Sequence, residues 1–198
     1  MNIKRFLILL AALVLSGCAT KVERIDIAKK VDLSGEWNDY DAMLVSKEMI
    51  GSALGGKWLD TFIMDKGRQP ILIVGHIANR SSEHINSGVF VKHLEQELMN
   101  SGKVIFVASP EEREGIRDER DDMQQGYTDP ETIKAIGKEK GADYMFIGSI
   151  NAVKDQENRK SVVLYQVNME LVDLATNVKA WIGQKEIKKM ITKPRVTF

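Results

Sequence analysis

The chain is predicted to fold as an α/β domain, with a mixed sheet, helices packed on it, and an antiparallel meander at its C-terminal end. Three observations lead there. Ile71-Leu72-Ile73-Val74-Gly75-His76-Ile77 is an apolar run of strand length, as expected of a strand covered on both faces. Segments with helical spacing stand before and after it. Val163, Tyr165, Val167, Met169 and Leu171 alternate with Leu164, Gln166, Asn168 and Glu170, the period of a strand with one dry and one wetter face.

The elements follow in order. Asp39-Tyr40-Asp41 offers a helix cap before 42–50, where Ala42, Val45, Met49 and Ile50 fall at i, i+3, i+7 and i+8, and Gly55-Gly56 stops the helix. Trp58, Leu59, Phe62 and Ile63 repeat that spacing in a shorter helix ended by Lys66-Gly67. After the first strand, 78–84 reads as a loop. Asn86 or Ser87 caps the next helix, with Phe90, Val91, Leu94 and Leu98 as its apolar stripe. Ser101-Gly102 closes it, and 103–108 is the second strand.

Ser109-Pro110-Glu111-Glu112 has the capping-box pattern with proline at the first helical position. Through about Gln125 follow seven acids (Glu111, Glu112, Glu114, Asp118, Glu119, Asp121, Asp122) and few apolar residues, so this helix lies in water. Another helix begins at Thr128-Asp129-Pro130-Glu131, with Ile133 and Ile136 inward and Gly141 past its end. Residues 142–152 form the third strand, 154–160 a polar turn, 173–177 a second turn, and 178–187 the closing strand.

The amino end is a different kind of segment. Lys4 and Arg5 precede the apolar run Phe6 to Leu15, about ten residues, whereas a membrane-spanning helix needs roughly 20. This is a secretory signal over 1–17. Leu15-Ser16-Gly17-Cys18 resembles the lipobox of bacterial lipoproteins, in which the cysteine receives a diacylglyceryl group and, after cleavage, an acyl chain on its new amine. At about 0.8 kcal/mol per buried methylene, such chains hold a protein on a bilayer. A lone cysteine supports lipid attachment, because one thiol cannot form an internal disulfide. With no Asp after Cys18, sorting to the outer membrane is expected. Residues 18–38 are the lipidated end and tether, with a short ordered segment around Trp37, and 39–198 are the domain.

Composition sets limits on function. The 28 basic and 28 acidic residues become 26 and 28 once Lys4 and Arg5 are removed, a balance that does not speak for nucleic acid. Gly51-Ser52-Ala53-Leu54-Gly55-Gly56-Lys57 matches seven places of the phosphate-binding loop. It fails at Trp58, where a hydroxyl belongs, and it follows a helix rather than a strand, so no nucleotide is expected. His76, His84 and His93 have no zinc spacing, no metal is expected, and His76 reads as a core residue of its strand. No nucleophile elbow appears, and the carboxylates of 111–122 form a solvated face. The chain reads as no enzyme, with no cofactor beyond the lipid on Cys18.

Two surface features are candidates for partner contact. Lys179, Lys185, Lys188, Lys189, Lys193 and Arg195 form a basic end that contrasts with the acidic helix and is able to steer a partner. Asn79, Arg80, Ser81 and Ser82 form a polar loop after a core strand, a common position for recognition, although Asn79 also suits a simple turn.

Several segments, in this order, resemble the LpoB family of outer-membrane lipoproteins that activate bifunctional penicillin-binding proteins. They are the lipobox; Ser34-Gly35-Glu36-Trp37-Asn38-Asp39 leading into Met43-Leu44-Val45-Ser46; Asn79-Arg80-Ser81-Ser82; Asn100-Ser101-Gly102-Lys103 with Phe106-Val107; Ala135-Ile136-Gly137 with Gly141-Ala142-Asp143-Tyr144; and Leu171-Val172-Asp173 before Ala180-Trp181. The resemblance implies a fold related to the N-terminal domain of TolB and a non-catalytic regulator. It implies anchoring in the outer membrane, a domain facing the periplasm, and docking on a bifunctional peptidoglycan synthase. The well-known members carry a long proline-rich tether, and this chain has about 20 residues without proline before its domain. The alternative is a structural subunit of an envelope assembly, similar to the CsgG-type secretion lipoproteins.

Overall fold

The computed structural model describes residues 22–26, 29–127, 129, 131 and 139–194. The chain divides into two units, 1–30 and 31–198. In the first, the Lys29 N–H donates to the Asp26 carbonyl at 3.0 Å, and the described residues form no helix or strand.

The second unit begins its regular structure at α1, Asp39–Leu54. Its N-cap is Asn38, one residue ahead of the stretch the sequence offers as a cap. The Asn38 side chain accepts from the Asp41 N–H at 3.0 Å, and the Asp41 carboxylate accepts from the Asn38 N–H at 3.1 Å. This reciprocal pair satisfies two of the donors that a helix start leaves orphaned. Ala42, Val45, Met49, Ile50 and Ala53 are buried, and Gly55 caps the far end. In α2, Lys57–Lys66, Leu59 and Phe62 are buried, but Ile63, expected inward, is 40% exposed. A helix of ten residues touching the body along one narrow stripe has room for only two fully buried side chains.

β1 is Ile71–Asn79, and Ile71 to Val74 are all buried, as the apolar run requires. α3, Ser87–Asn100, is capped by Asn86 and buries Phe90, Leu94 and Leu98. β2 is only Ile105–Phe106, far shorter than the expected 103–108. Val104 is buried without pairing, so part of that apolar run marks burial rather than a strand. α4, Pro110–Asp122, starts with the expected Ser109/Glu112 capping box, buries no residue, and passes into a π turn at Met123–Tyr127. The helix expected from Thr128 to Gly141, with Ile133 and Ile136, falls mostly outside the described residues.

β3 (Tyr144–Glu157), β4 (Lys160–Asp173) and β5 (Lys179–Thr192) are each 14 residues long. The turn expected over 154–160 shrinks to Asn158-Arg159, with Asn158 at φ 52° supplying the left-handed residue of a tight hairpin. β5 runs five residues past the expected end at Ile187, to Thr192. The sheet order is β2-β1-β3-β4-β5, with β1 parallel to both neighbours and the last three strands antiparallel. α1 packs against α3 and against β5, and α3 against β1. There Val45, Met49, Phe90 and Leu94 meet Leu72, Phe146, Tyr165 and Met169 in one core. The α/β class and the closing meander are as the sequence predicts.

At one point the strands approach too closely for any side chain. A Cβ on Gly148 would lie 2.5 Å from the Asn168 carbonyl oxygen of β4. Gly148→Ala is therefore expected to cost about 1–3 kcal/mol through forced strand separation, measured by urea denaturation. Just before β3, Asp143 accepts both Arg68 guanidinium bonds, at 2.7 and 2.8 Å, and the Ile71 N–H at 2.7 Å. The Arg68 hydrogen bond holds its carboxyl below the usual range. A carboxyl with a depressed folded value stabilises above about pH 4 and loses that contribution as pH falls through the folded value. Stability curves of the parent and of Asp143→Asn are expected to converge on acidification below about pH 4.

Candidate functional site

The loop singled out in the sequence leaves β1 at its C-terminal end, and it is shaped from within. The Asn79 side-chain amide donates to the Glu83 carbonyl at 2.8 Å, and its oxygen accepts from the Ser81 N–H at 3.0 Å and the Ser81 hydroxyl at 2.7 Å. The Arg80 N–H donates to the Ile150 carbonyl of β3 at 2.8 Å, tying the loop to the sheet. Asn79 and Ser81 therefore build the turn. Arg80 and Ser82 are exposed beside them.

The turn also delivers Glu83 to the core, a role with no signal in the sequence. The buried Tyr165 hydroxyl donates to the Glu83 carboxylate, 2.6 and 2.7 Å from its two oxygens, and the Trp37 N–H donates to it at 3.2 Å. Burial, with the carboxylate beside it, pushes the Tyr165 phenol well above its ordinary value. The Trp37 ring packs edge-on to Phe90 and Tyr165, with centroids 6.2 and 5.6 Å apart. The ordered segment expected around Trp37 thus lies against the core.

A second polar knot lies beside it. Lys189 of β5, 9% exposed, donates its three ammonium protons to Asp32 at 2.8 Å, the Glu36 carbonyl at 2.9 Å and Asp41 at 2.5 Å. That is the full donor capacity of an ammonium. The Nζ lies 5.9 Å from the Tyr165 ring centroid, so the two knots share a wall. Burial opposes the charge on Lys189, but the hydrogen bonds it donates to Asp32 and Asp41 outweigh it and hold the ammonium pKa above its ordinary value. Asp41 is the same carboxylate that caps α1. Ile191 of β5 closes on Gly35, which sits at φ 77° with no space for a Cβ.

The basic end proposed from sequence does not form one free patch. Lys189 is buried, Lys179 pairs with Glu170 at 2.8 Å, and Lys185 pairs with Glu48 at 2.5 Å. Lys188 and Lys193 are exposed, and Arg195 lies outside the described residues. Strand alternation explains it: Lys185, Ile187, Lys189 and Ile191 share the inward phase of β5. His76 is exposed rather than in the core, because the β1 register shifts between Val74 and Ile77. Cys18 lies outside the described residues. Among those described, no three His, Cys, Asp or Glu side chains are arranged to hold a metal ion, and no helix is long and apolar enough to cross a membrane. Gly51 to Lys57 forms the end of α1 and the start of α2, with the Trp58 indole N–H donating to the Ala53 carbonyl at 2.7 Å.

Lys189→Met removes the cation and leaves Asp41, 3% exposed, as an unpaired buried carboxylate. The expected cost is about 3–5 kcal/mol by chemical denaturation, with part of it recovered when Asp41→Asn is added.

Comparison with known proteins completes the description. No curated protein sequence matches this chain. Among solved structures, the LpoB C-terminal domain from Escherichia coli is similar at 18% identity and TM-score 0.45, covering 76% of this chain and 100% of that one. The corresponding domain from Salmonella enterica is similar at 17% identity and TM-score 0.44, with the same coverage. Lipoprotein GNA1162 from Neisseria meningitidis gives 14% identity and TM-score 0.38 over 64% of this chain and 88% of that one. The family model described as peptidoglycan-synthase activator LpoB matches residues 41–187, from the Asp41 cap to Ile187 between the two inward lysines. The chain belongs to the LpoB family, whose members are non-catalytic activators of a peptidoglycan synthase.

Proposed function

We infer that this protein is held on the outer membrane by lipid chains on Cys18 and docks on a bifunctional penicillin-binding protein. The observation that carries this reading is the family match over 41–187 joined to a lipobox at Leu15-Ser16-Gly17-Cys18. The domain faces the periplasm. An activator of this kind works by differential contact: it binds the active conformer of the synthase more tightly than the inactive one, and each tenfold change in the conformer ratio needs about 1.4 kcal/mol of that difference.

The segment from Val31 belongs to the second unit, and on this reading the tether is the part of 18–38 that precedes it, residues 19–30. Twelve residues extend at most about 40 Å at roughly 3.3–3.6 Å each, against 65–70 Å for a tether running to residue 38. The synthase must reach outward to meet it. Arg80 and Ser82, exposed on a turn whose other members are internally bonded, are the side chains of that loop free to contact it.

Glycan polymerisation by candidate bifunctional synthases is expected to rise severalfold when the purified protein is added. Unchanged rates with every candidate would reject the reading. Cys18→Ser is expected to release the protein from outer-membrane fractions while leaving stimulation in detergent solution intact, read by fractionation and the same assay.

A further inference from the structure

β1 is nine residues long, and its outer neighbour β2 is two. The Ile105 N–H donates to the Pro70 carbonyl and the Val107 N–H to the Leu72 carbonyl, so the even-numbered residues of β1 face β2. Beyond Leu72 the chain turns away into α4. Past the register shift the Arg80 N–H bonds to β3, which puts Ala78 and Arg80 toward that strand and Ile77 toward the outside. Val74 and Ile77 therefore present peptide groups to a side where no described residue pairs with them. An unpaired edge of this kind is a template for another chain.

The edge does not lie on an open rim. It forms the floor of a cleft of about 380 Å³, walled by Ser87, Gly88 and Val91 of α3 and by Ser109, Pro110 and Glu111 at the start of α4. A strand belonging to another sheet brings neighbours that these walls obstruct, whereas a single extended segment fits between them. Charge narrows the occupant further. Lys92 is already held by Glu95 at 2.7 Å and Glu112 at 2.6 Å, and Glu111 has no cation partner among the described residues. The walls thus carry two carboxylates, Glu95 and Glu111, against the one ammonium of Lys92, which Glu95 and the neighbouring Glu112 already hold.

We propose that the β1 edge between α3 and α4 takes an extended, cation-bearing segment of the synthase as an added strand. Main-chain bonds to Val74 and Ile77 would supply the affinity, and a Lys or Arg facing Glu111 the selection. The proposal rests on the synthase reading above and names the surface used.

Amide exchange of the full chain, followed by NMR, tests it with overlapping twelve-residue peptides from the synthase's periplasmic sequence. A cation-bearing peptide should slow exchange at Val74 and Ile77 at least tenfold. Glu111→Lys, on the exposed face of a helix that buries nothing, should weaken that peptide and the stimulation of the intact synthase at least fivefold. The same reversal at Asp155, on the β3–β4 hairpin, should change neither. Normal stimulation by Glu111→Lys with unaltered exchange at Val74 and Ile77 overturns the cleft while the synthase reading stands. Protection that rises with the protein's own concentration overturns it in favour of a second copy. Failure of the parent protein to stimulate any synthase sinks the synthase reading itself.

Discussion

The arrangement of the domain depends on one ammonium group. Lys189 has three protons and finds three acceptors, two of them in the segment that leads into α1 and the third on the cap of that helix. A buried ion pair contributes little net stability relative to a well-packed apolar replacement, because desolvation offsets the attraction. Its effect is on alternatives. If the lead segment slid by one residue, Asp32 would turn away and the Glu36 carbonyl would miss, leaving a cation buried without acceptors. The segment therefore has one acceptable path across β5, and Gly35 against Ile191 marks how closely it follows that path.

What was legible in the sequence follows from which physical signal each element carries. Ser109 and Glu112 announced a helix start because both halves of a capping box are side-chain chemistry, written in the residues themselves. Val163 to Leu171 announced a strand because one face is buried along its whole length. The apolar run 103–108 suggests a longer β2 than forms because such a run reports burial, and Val104 is buried without pairing. The apolar run around His76 suggests an inward imidazole. The register shift between Val74 and Ile77 reverses the phase, and the imidazole comes out.

The site was less legible than the fold. Asn79 to Ser82 was recognised as a loop worth attention, but its purpose in shaping Glu83 depends on Tyr165, 82 residues away in the chain. No local pattern encodes such a meeting. Lys189 did leave a trace. Lys185 and Lys189 stand in phase with Ile187 and Ile191, so two inward lysines on one strand face signal either buried pairs or a wrong strand end. Ending the strand at Ile187 hid that phase.

The two polar knots together hold the 79–83 loop in place. Glu83 bonds at once to Trp37 of the lead segment and to Tyr165 of the sheet, and Lys189 fixes the same lead segment from the other side. Loop, lead segment and meander are thereby tied together by side-chain hydrogen bonds. A surface already ordered spares the cost of fixing rotamer-rich side chains and backbone on contact, about 0.5–1.5 kcal/mol per immobilised side chain.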